Sequence, residues 1–269
     1  MYLEQYLQED LGFGDITSET LFSEERATAK ITAKSDCIVA GVEEIVKLFE
    51  LFCLEVQVKV KDGASVSSGT EILTVSGEAR AILKCERLAL NIIMRMSGIA
   101  SATHNLVTRC RKINPNIKIA ATRKTTPGFR YYEKRAVVLG GGEPHRFQLS
   151  DAIMIKDNHL KIIGSLRKAM KKVNKVKFNK KIEVEVTSRN LAIEAAKLGA
   201  DIIMLDNMSP ELVKKVSSEL KTLRPDVILE ISGGITPDNI EDYAPYADVI
   251  SLGWLTHSAP AKDFSLGVV

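Results

Sequence analysis

The chain has 269 residues, of which 45% are hydrophobic and 26% are charged, a composition typical of a globular protein with a sizeable core. Its net charge of +3 is too small to predict a nucleic-acid partner, and no apolar run reaches the roughly 18 residues that a membrane span requires. The acidic, amphipathic start does not have the pattern of a secretory signal. We therefore expect a cytoplasmic protein whose four cysteines, which lack metal-ligand spacing, are free thiols.

The first 97 residues have the pattern of a small α+β domain. A helix is predicted over residues 1–9, a strand over 27–41 and a short helix over VEEIVKLFELF. Residues 56–80 predict two or three strands, with turns at Asp62-Gly63, Ser68-Gly69 and Ser76-Gly77. We expect an antiparallel sheet in an open sandwich over residues 1–97, against which the last dozen or so residues of the chain pack.

A long helix is predicted from Cys85, because apolar residues up to Cys110 recur at intervals of three and four. Arg87 lies near its start, beside Glu86. On pattern alone, an ion pair within the helix is the simpler interpretation of this arginine.

After this helix, apolar strands alternate with helices six times between about 117 and 253. Strands that are separated by helices must be parallel, and their unbroken apolar runs indicate burial on both faces. The usual eight repeats of a β/α barrel take about 250 residues. We therefore predict a reduced or partly open β/α barrel of six to seven repeats over residues 98–256, followed by a tail over 257–269.

Charged residues and glycines stand where these strands end, which is where barrel enzymes hold their active sites. Lys156 and Glu185 interrupt apolar strands, and we expect them to pair, because unpaired buried charges are unfavourable. Glu183 lies on the same face as Glu185, and we expect one of the two to point lower into the barrel and to pair with a lysine. The strand-end set is Arg123, Lys124, Lys156, Glu185, Asp206, Ser232, Gly233, Gly234 and Gly253.

Two ligand sites follow from this set. Ser232-Gly233-Gly234 opens a predicted helix at Thr236, and free N–H groups at such a position bind phosphate, with Gly253 at the next strand end. The cations between 121 and 159 predict a second anionic group, although solvated loop charges are the alternative. Carboxylates beside a phosphate predict Mg²⁺ or ribose hydroxyls as partners. No Ser/His/Asp or Cys/His arrangement is evident, which favours charge positioning over covalent catalysis.

Several ordered motifs carry a family resemblance along essentially the whole chain. They are GDIT, ERLALN with SGIA, TRKTTPGFRYYEKRAV, GGGEPHRFQLSDAIMIKDNH, EVEV, MLDN, SGGI and LTHS. With these motifs the chain resembles the quinolinate phosphoribosyltransferases, also called nicotinate-nucleotide pyrophosphorylases (carboxylating).

The resemblance implies a reaction between quinolinate and 5-phosphoribosyl-1-pyrophosphate (PRPP) that gives nicotinate mononucleotide, pyrophosphate and CO₂, a step of de novo NAD synthesis. It also implies Mg²⁺ and a homodimer or dimer-based hexamer. In such an assembly, the amino-terminal domain of one subunit covers the barrel mouth of the next.

The resemblance further implies roles for individual residues. Arg87 matches an arginine that is donated across the dimer interface, which replaces the ion-pair interpretation. The quinolinate site would consist of Arg87, Arg123, Lys124, His145, Arg146 and Lys156. The PRPP site would consist of Lys124, Lys156, Glu185, Asp206, Ser232, Gly233, Gly234 and Gly253.

Within these sites, the implied catalytic residues are Lys124, Lys156, Glu185 and Asp206. Of these, Glu185 and Asp206 match carboxylates that serve the ribose hydroxyls and the metal, directly or through water. The motif residues Asn158 and His159 receive no role.

Two other interpretations stay open. The first is a paralogous phosphoribosyltransferase, such as one for nicotinate, although a monocarboxylate would need fewer arginines. The second is a non-catalytic protein that binds a phosphate ligand. The carboxylates Glu185 and Asp206 beside Lys156 disfavour it, because nearby negative charge weakens phosphate binding.

Overall fold

The computed structural model describes residues 3–176 and 179–269 and divides into two compact units. Unit 1 comprises the chain up to His104, Arg135–Gly141 and Ala259–Val269. Unit 2 comprises Asn105–Lys134 and Gly142–Ser258. Met1 and Tyr2 of the predicted first helix lie outside the described residues.

Unit 1 is built on an antiparallel sheet. Its helices and strands are α1 (Leu3–Leu11), α2 (Ile16–Leu21), β1 (Arg26–Ala33), β2 (Cys37–Ile38), α3 (Val42–Glu50), β3 (Glu55–Val58), β4 (Ser65–Val66), β5 (Glu71–Glu78) and the last strand of the chain, β12 (Phe264–Val268). Four strands form a sheet in the order β12-β1-β5-β3, and β2 pairs with β4. The end of the chain thus lies beside β1, antiparallel to it.

Two predictions for this unit were wrong in detail. The strand predicted over 27–41 is two strands, β1 and β2, because the chain turns at Asp36, whose carboxylate accepts the backbone N–H of Ser68 at 2.9 Å. Ser76-Gly77 is not a turn but part of β5. Gly77 lies so close to Leu54 that a side chain at position 77 would collide with it.

The long helix, α4, runs over Ala79–Ile113 and begins six residues before the predicted start at Cys85. It follows β5 directly, with no turn between them. The predicted domain boundary after residue 97 falls inside this helix. Neither α4 nor any other helix in the described part of the chain has the length and apolar character needed to traverse a lipid bilayer.

Unit 2 alternates strands with helices. Its elements are β6 (Lys118–Ala120), α5 (Arg130–Leu139), β7 (Ile153–Ile155), α6 (Asp157–Ile163), α7 (Leu166–Val176), β8 (Ile182–Val186), α8 (Arg189–Lys197), β9 (Ile202–Asp206), α9 (Pro210–Leu223), β10 (Ile228–Ser232), α10 (Ile240–Tyr243), β11 (Val249–Ser251) and α11 (Trp254–His257). The carboxyl-terminal residues of α5 belong to unit 1.

The six strands of unit 2 form one parallel sheet in the order β6-β11-β10-β9-β8-β7. Across residues 3–176 and 179–269, β6 and β7 are not paired with each other, so the predicted partly open barrel of six repeats is confirmed. Ser232 pairs with Asp206, and Glu185 pairs with Met204. This register brings the carboxyl ends of neighbouring strands to one rim.

Candidate active site

A cavity of about 460 Å³ lies at the carboxyl ends of the unit 2 strands. All but two of the predicted site residues line it: Arg123, Lys124, His145, Arg146, Lys156, Glu185, Asp206, Ser232, Gly233 and Gly234. The parallel sheet explains this convergence, because every strand delivers its last residues to the same rim.

Lys156 and Glu185 form an ion pair across two adjacent strands. Lys156 follows β7, Glu185 lies in β8, and the lysine Nζ is 2.7 Å from Oε2 of the glutamate. The pairing expected from the sequence is therefore present. The lysine is more exposed than the glutamate, with 40% and 15% of their side chains accessible. A cation with an anchored carboxylate beside it thus faces the cavity.

Asp206 ends β9 and is held by its neighbour. Asn207 has a left-handed backbone (φ 54°), and its side-chain amide donates a hydrogen bond of 2.7 Å to Asp206 Oδ2. Burial raises the pKa of Asp206, the Asn207 hydrogen bond opposes this, and the charge of Glu185 raises it further. A cation bound by Asp206 and Glu185 would offset both the burial of the Asp206 carboxylate and its repulsion by Glu185. This oxygen-only donor set fits Mg²⁺.

The glycine loop after β10 approaches Asp206 closely. Gly233 and Gly234 have φ values of 82° and 65°, a region that favours glycine. A Cβ at Gly233 would lie 2.6 Å from side-chain atoms of Asp206 and Asn207. Asn239 closes the loop by donating to the carbonyl of Gly234 at 3.0 Å. Backbone groups thus border the cavity with no side chain in the way.

The helix predicted to open at Thr236 begins instead at Ile240. Residues 236–239 form a turn, because the side chain of Asn239 accepts the backbone N–H of Thr236 at 2.9 Å. The glycine loop, rather than a helix amino terminus, therefore borders the cavity here.

Gly253 is not one of the described residues that line the cavity. It packs against Lys124, and a Cβ at this position would lie 2.8 Å from Lys124 Cδ. Three residues later, the hydroxyl of Thr256 donates a hydrogen bond of 2.6 Å to the carbonyl of Lys124. The loop after β11 therefore makes room for Lys124 and holds its backbone.

His145 joins two buried carboxylates inside the barrel. Its Nε2 lies 3.2 Å from Glu230 and 3.7 Å from Glu183. Of Glu183 and Glu185, the one that pairs with a lysine is Glu185. The inward-facing position of Glu183 brings it beside His145 and Glu230. Burial and the charge of Glu230 raise the pKa of Glu183 to about 8, so this carboxyl is mostly protonated at pH 7.

The protonation of His145 decides whether this cluster could hold a metal. Its Nδ1 accepts the backbone N–H of Arg146 at 2.8 Å. Burial lowers the pKa of His145, whereas Glu230 and Glu183 raise it, and the net direction is upward. Because Nδ1 accepts the backbone N–H of Arg146, it cannot also carry a proton. We therefore assign the single ring proton to Nε2, which donates to Glu230. No ring lone pair is then left for a metal ion.

The two arginines of the cavity are not fully satisfied by the protein. Arg146 donates to the carbonyl of Ala152 at 3.4 Å and contacts the sulfur of Met154 at 3.1 Å, both weak interactions. Arg123 Nε is buried and has no hydrogen-bond partner among the described residues. Such unsatisfied donors in a cavity indicate a site for an anion.

Sequence reasoning missed three residues that hold the cationic loops. Glu133 accepts both the backbone N–H and the hydroxyl of Thr126 at 2.9 Å, and Arg130 donates to the carbonyl of Phe147 at 3.0 Å. Lys134, the residue after Glu133 on α5, donates to the backbone carbonyls of Pro144 and Arg146. Charged pairs on a helix usually indicate a solvated face, and only the tertiary structure places these inside.

His159 also receives a role from the structure. Its Nδ1 accepts the backbone N–H of Lys156 at 3.0 Å, at the start of α6. The ring thus fixes the chain immediately beside the ion-paired lysine.

Arg87 lies on α4 in unit 1 and is exposed. The ion pair with Glu86 is absent, and Arg87 has no ion-pair partner anywhere in residues 3–176 and 179–269. It is also not among the residues that line the cavity. Its guanidinium is available for a partner outside this chain.

Comparison with known proteins agrees with the geometry. The family described as "Quinolinate phosphoribosyl transferase" matches with its N-terminal domain over residues 15–97 and with its C-terminal domain over residues 99–267. The chain is 50% identical over 260 residues to "Probable nicotinate-nucleotide pyrophosphorylase (carboxylating)" of Archaeoglobus fulgidus, covering 96% of this chain and 99% of that one. It is 40% identical over 240 residues to the human "Nicotinate-nucleotide pyrophosphorylase (carboxylating)", covering 88% and 81%.

Solved structures give the same result. NadC from Streptococcus pyogenes is 40% identical and superposes with a TM-score of 0.92 over 99% of this chain and 95% of that one. Human nicotinic acid phosphoribosyltransferase, at 14% identity and a TM-score of 0.62 over 99% and 74%, is similar in fold alone. From the two matching domains and these identities, the chain belongs to the quinolinate phosphoribosyltransferase family.

Proposed function

We propose that this enzyme transfers a phosphoribosyl group from PRPP to quinolinate with loss of CO₂, giving nicotinate mononucleotide and pyrophosphate for de novo NAD synthesis. The activity follows from relatives named for it that match the chain nearly from end to end. The structural observation that supports it most is the set of four cations, Arg123, Lys124, Arg146 and Lys156, around one cavity. A dicarboxylate would supply acceptors for the guanidinium of Arg146, whose contacts within the protein are weak.

The quinolinate site is the cationic wall of the cavity. Arg123 and Arg146 present planar guanidinium groups, which bind carboxylates with two hydrogen bonds, and Lys124 and Lys156 add compact charges. His145 borders the same wall. We place Arg87 of a second subunit at the open side of this site, in a homodimer or a dimer-based hexamer with shared active sites.

The PRPP site is formed by the glycine loop and the two carboxylates of the same cavity. Ser232, Gly233 and Gly234 would cradle the 5′-phosphate with backbone groups, and Gly253 supports the loop at Lys124. Glu185 and Asp206 would contact the ribose hydroxyls and hold Mg²⁺, directly or through water. The bound ion would neutralise charge on the pyrophosphate leaving group.

The residues then act through charge and position. When the bond from C1 of the ribose to pyrophosphate breaks, positive charge develops on the ribose, and Glu185 and Asp206 stabilise it. The quinolinate nitrogen forms the new bond to this carbon. The resulting pyridinium stabilises the electron pair that remains at C2 when CO₂ departs. This carbanion then takes up a proton. Decarboxylation therefore follows transfer, and competent turnover of free nicotinate as an intermediate would contradict this order.

A coupled assay tests the function. The protein, Mg²⁺ and PRPP are mixed with carboxyl-labelled quinolinate, and with nicotinate in a parallel reaction. We expect labelled CO₂ and nicotinate mononucleotide from quinolinate alone. Turnover of nicotinate but not quinolinate would assign the chain to a paralogous activity, and tight binding of PRPP without turnover of either would assign it to a non-catalytic role.

We also propose a cytoplasmic location. All four cysteines are free thiols, a state that a reducing compartment maintains. Cell fractionation with an antibody against the protein tests this, and recovery in an oxidising compartment would contradict it.

A further inference from the structure

Lys134 is a lysine with 0% of its surface exposed, on the first turns of α5. Its ammonium donates hydrogen bonds to the backbone carbonyls of Pro144, at 2.5 Å, and Arg146, at 2.6 Å. It also lies 5.2 Å from the centre of the Phe147 ring. It forms no ion pair with a carboxylate within residues 3–176 and 179–269. Because a buried cation without an anion is unfavourable, this arrangement calls for a reason beyond packing.

The two carbonyls that Lys134 holds lie on either side of His145. This histidine has a left-handed backbone (φ 52°), which is strained for a residue with a side chain. Its ring accepts the N–H of Arg146, so the turn and the arginine are coupled. Lys134 thus fixes, from the buried side, the backbone that carries Arg146 into the cavity.

The charges around Lys134 have the same sign. Burial and then the nearby guanidinium groups of Arg130, Arg123 and Arg146 together lower the pKa of Lys134 to about 8, with Asp151 opposing. Arg123 and Arg146 line the cavity, and Arg130 donates to the carbonyl of Phe147 next to it. A group of four cations becomes favourable when a dianion binds beside it.

We propose that Lys134 is a positioning residue for the dicarboxylate substrate, which holds the backbone at 144–146 so that Arg146 meets a carboxylate. This inference rests on the proposed function. Lys134 acts through Arg146 and does not itself line the cavity. Its loss therefore weakens quinolinate binding selectively and leaves the phosphate side of the site intact.

The test compares Lys134→Met, which keeps the side-chain length and removes the donors, with a control variant. Lys221→Met is that control, because Lys221 also donates to a backbone carbonyl of unit 2, that of Val227 at 2.8 Å, and does not line the active-site cavity. Lys221 differs from Lys134 in that it also pairs with Asp248. Calorimetry measures binding of quinolinate, and separately of PRPP with Mg²⁺. We expect quinolinate affinity to fall about tenfold or more in Lys134→Met, and PRPP affinity to stay within about twofold. The control should bind both as the wild type does.

Several outcomes separate this proposal from the function itself. A wild-type protein that does not bind quinolinate would refute the function. A folded Lys134→Met with unchanged quinolinate affinity, or with equal losses for both ligands, would overturn only the role of Lys134. If Lys134→Met does not fold, Lys134→Gln replaces it, because its shorter, neutral side chain does not hold both carbonyls as the ammonium does, and the same selective loss of quinolinate affinity is expected. Failure of both variants to fold would assign Lys134 to stability and also overturn the proposal.

Discussion

The hydroxyl of Thr256 donates its hydrogen bond to the backbone carbonyl of Lys124, at 2.6 Å, across the sheet edge where the last and first strands of unit 2 are paired. Thr256 is fully buried. Helix α11, which follows the last strand of the barrel, therefore fixes a lysine of the loop after the first strand, 132 positions earlier in the chain.

Thr256→Val should lower kcat/KM about tenfold, because Lys124 loses its backbone anchor and even small displacements of a positioned group are harmful. The carbonyl of Lys124 loses this part-buried hydrogen bond, so the free energy of unfolding should fall by about 1 kcal/mol. Steady-state kinetics and thermal melting measure the two effects. Thr222→Val removes an exposed hydroxyl bond within α9 and should change neither. Equal activity in both variants would contradict the role of Thr256.

Glu185→Gln should lower kcat by about 10²-fold or more, because it removes the charge that faces the developing positive charge of the ribose. Quinolinate affinity should change much less, since the arginines bind that substrate. Single-turnover kinetics separate the chemical step from binding. Glu211→Gln, on the exposed first turn of α9, is the control. A change in KM alone would show that Glu185 acts only in binding.

Gly233→Ala should raise the KM for PRPP about tenfold, because the new methyl group would push on Asp206 and Asn207 beside the phosphate loop. Gly199→Ala is a matched control, since Gly199 has a similar φ of 86° and open space around it. Both variants should lose about 1 kcal/mol of stability from backbone strain. Only Gly233→Ala should raise the KM for PRPP. An equal rise in the KM of Gly199→Ala would show that backbone strain, rather than contact with Asp206 and Asn207, causes the effect.

Arg87→Ala and Lys156→Ala should each be nearly inactive alone. When the two variants are mixed and allowed to exchange subunits, about one quarter of the sites should combine an intact cavity with an intact arginine from the partner. Recovery of about that share of wild-type activity would support shared active sites. If the mixture stays inactive although exchange is demonstrated by mass, Arg87 acts within its own chain.

Glu183 should make the stability of the protein depend on pH. Its pKa is about 8 in the folded protein and near 4.5 when unfolded, so the folded state holds the extra proton between these values. Stability from this group is therefore complete below pH 4.5 and is lost as pH rises through 8. Glu183→Gln stays neutral and should not lose stability in this way. The difference in melting temperature between Glu183→Gln and the wild type should therefore be more positive at pH 8.5 than at pH 5, by about 2–4 °C for each kcal/mol of stability that the wild type loses. Parallel melting curves of the two proteins at all pH values would contradict the assignment.

Much of the fold could be predicted because apolar runs and their interruptions follow simple periodicity. A charge that ends a buried strand, such as Lys156 or Asp206, could be placed on the rim from the order of strands alone. The register of a parallel sheet then brings such residues together without any knowledge of their contacts.

Contacts between distant segments could not be predicted in the same way. The Glu-Lys pair at 133 and 134 resembles a solvated helix face, yet it lies inside and holds two loops. Which of Glu183 and Glu185 pairs with a lysine could not be predicted, because depth within a barrel is set by strand tilt, which alternation does not reveal. Ser76-Gly77 has the composition of a turn, and only the proximity of Leu54 explains the glycine in a strand.

The pairing of β12 with β1 has a consequence for how the protein is made. Residues 264–268 lie beside one of the first strands, and unit 1 is assembled from both ends of the chain with unit 2 between them. During synthesis, the barrel strands leave the ribosome as a complete set before the last strand of the amino-terminal sheet exists. The sheet of unit 1 is thus completed only after the barrel strands have emerged, and a nascent chain stalled before residue 264 exposes an unpaired edge of β1.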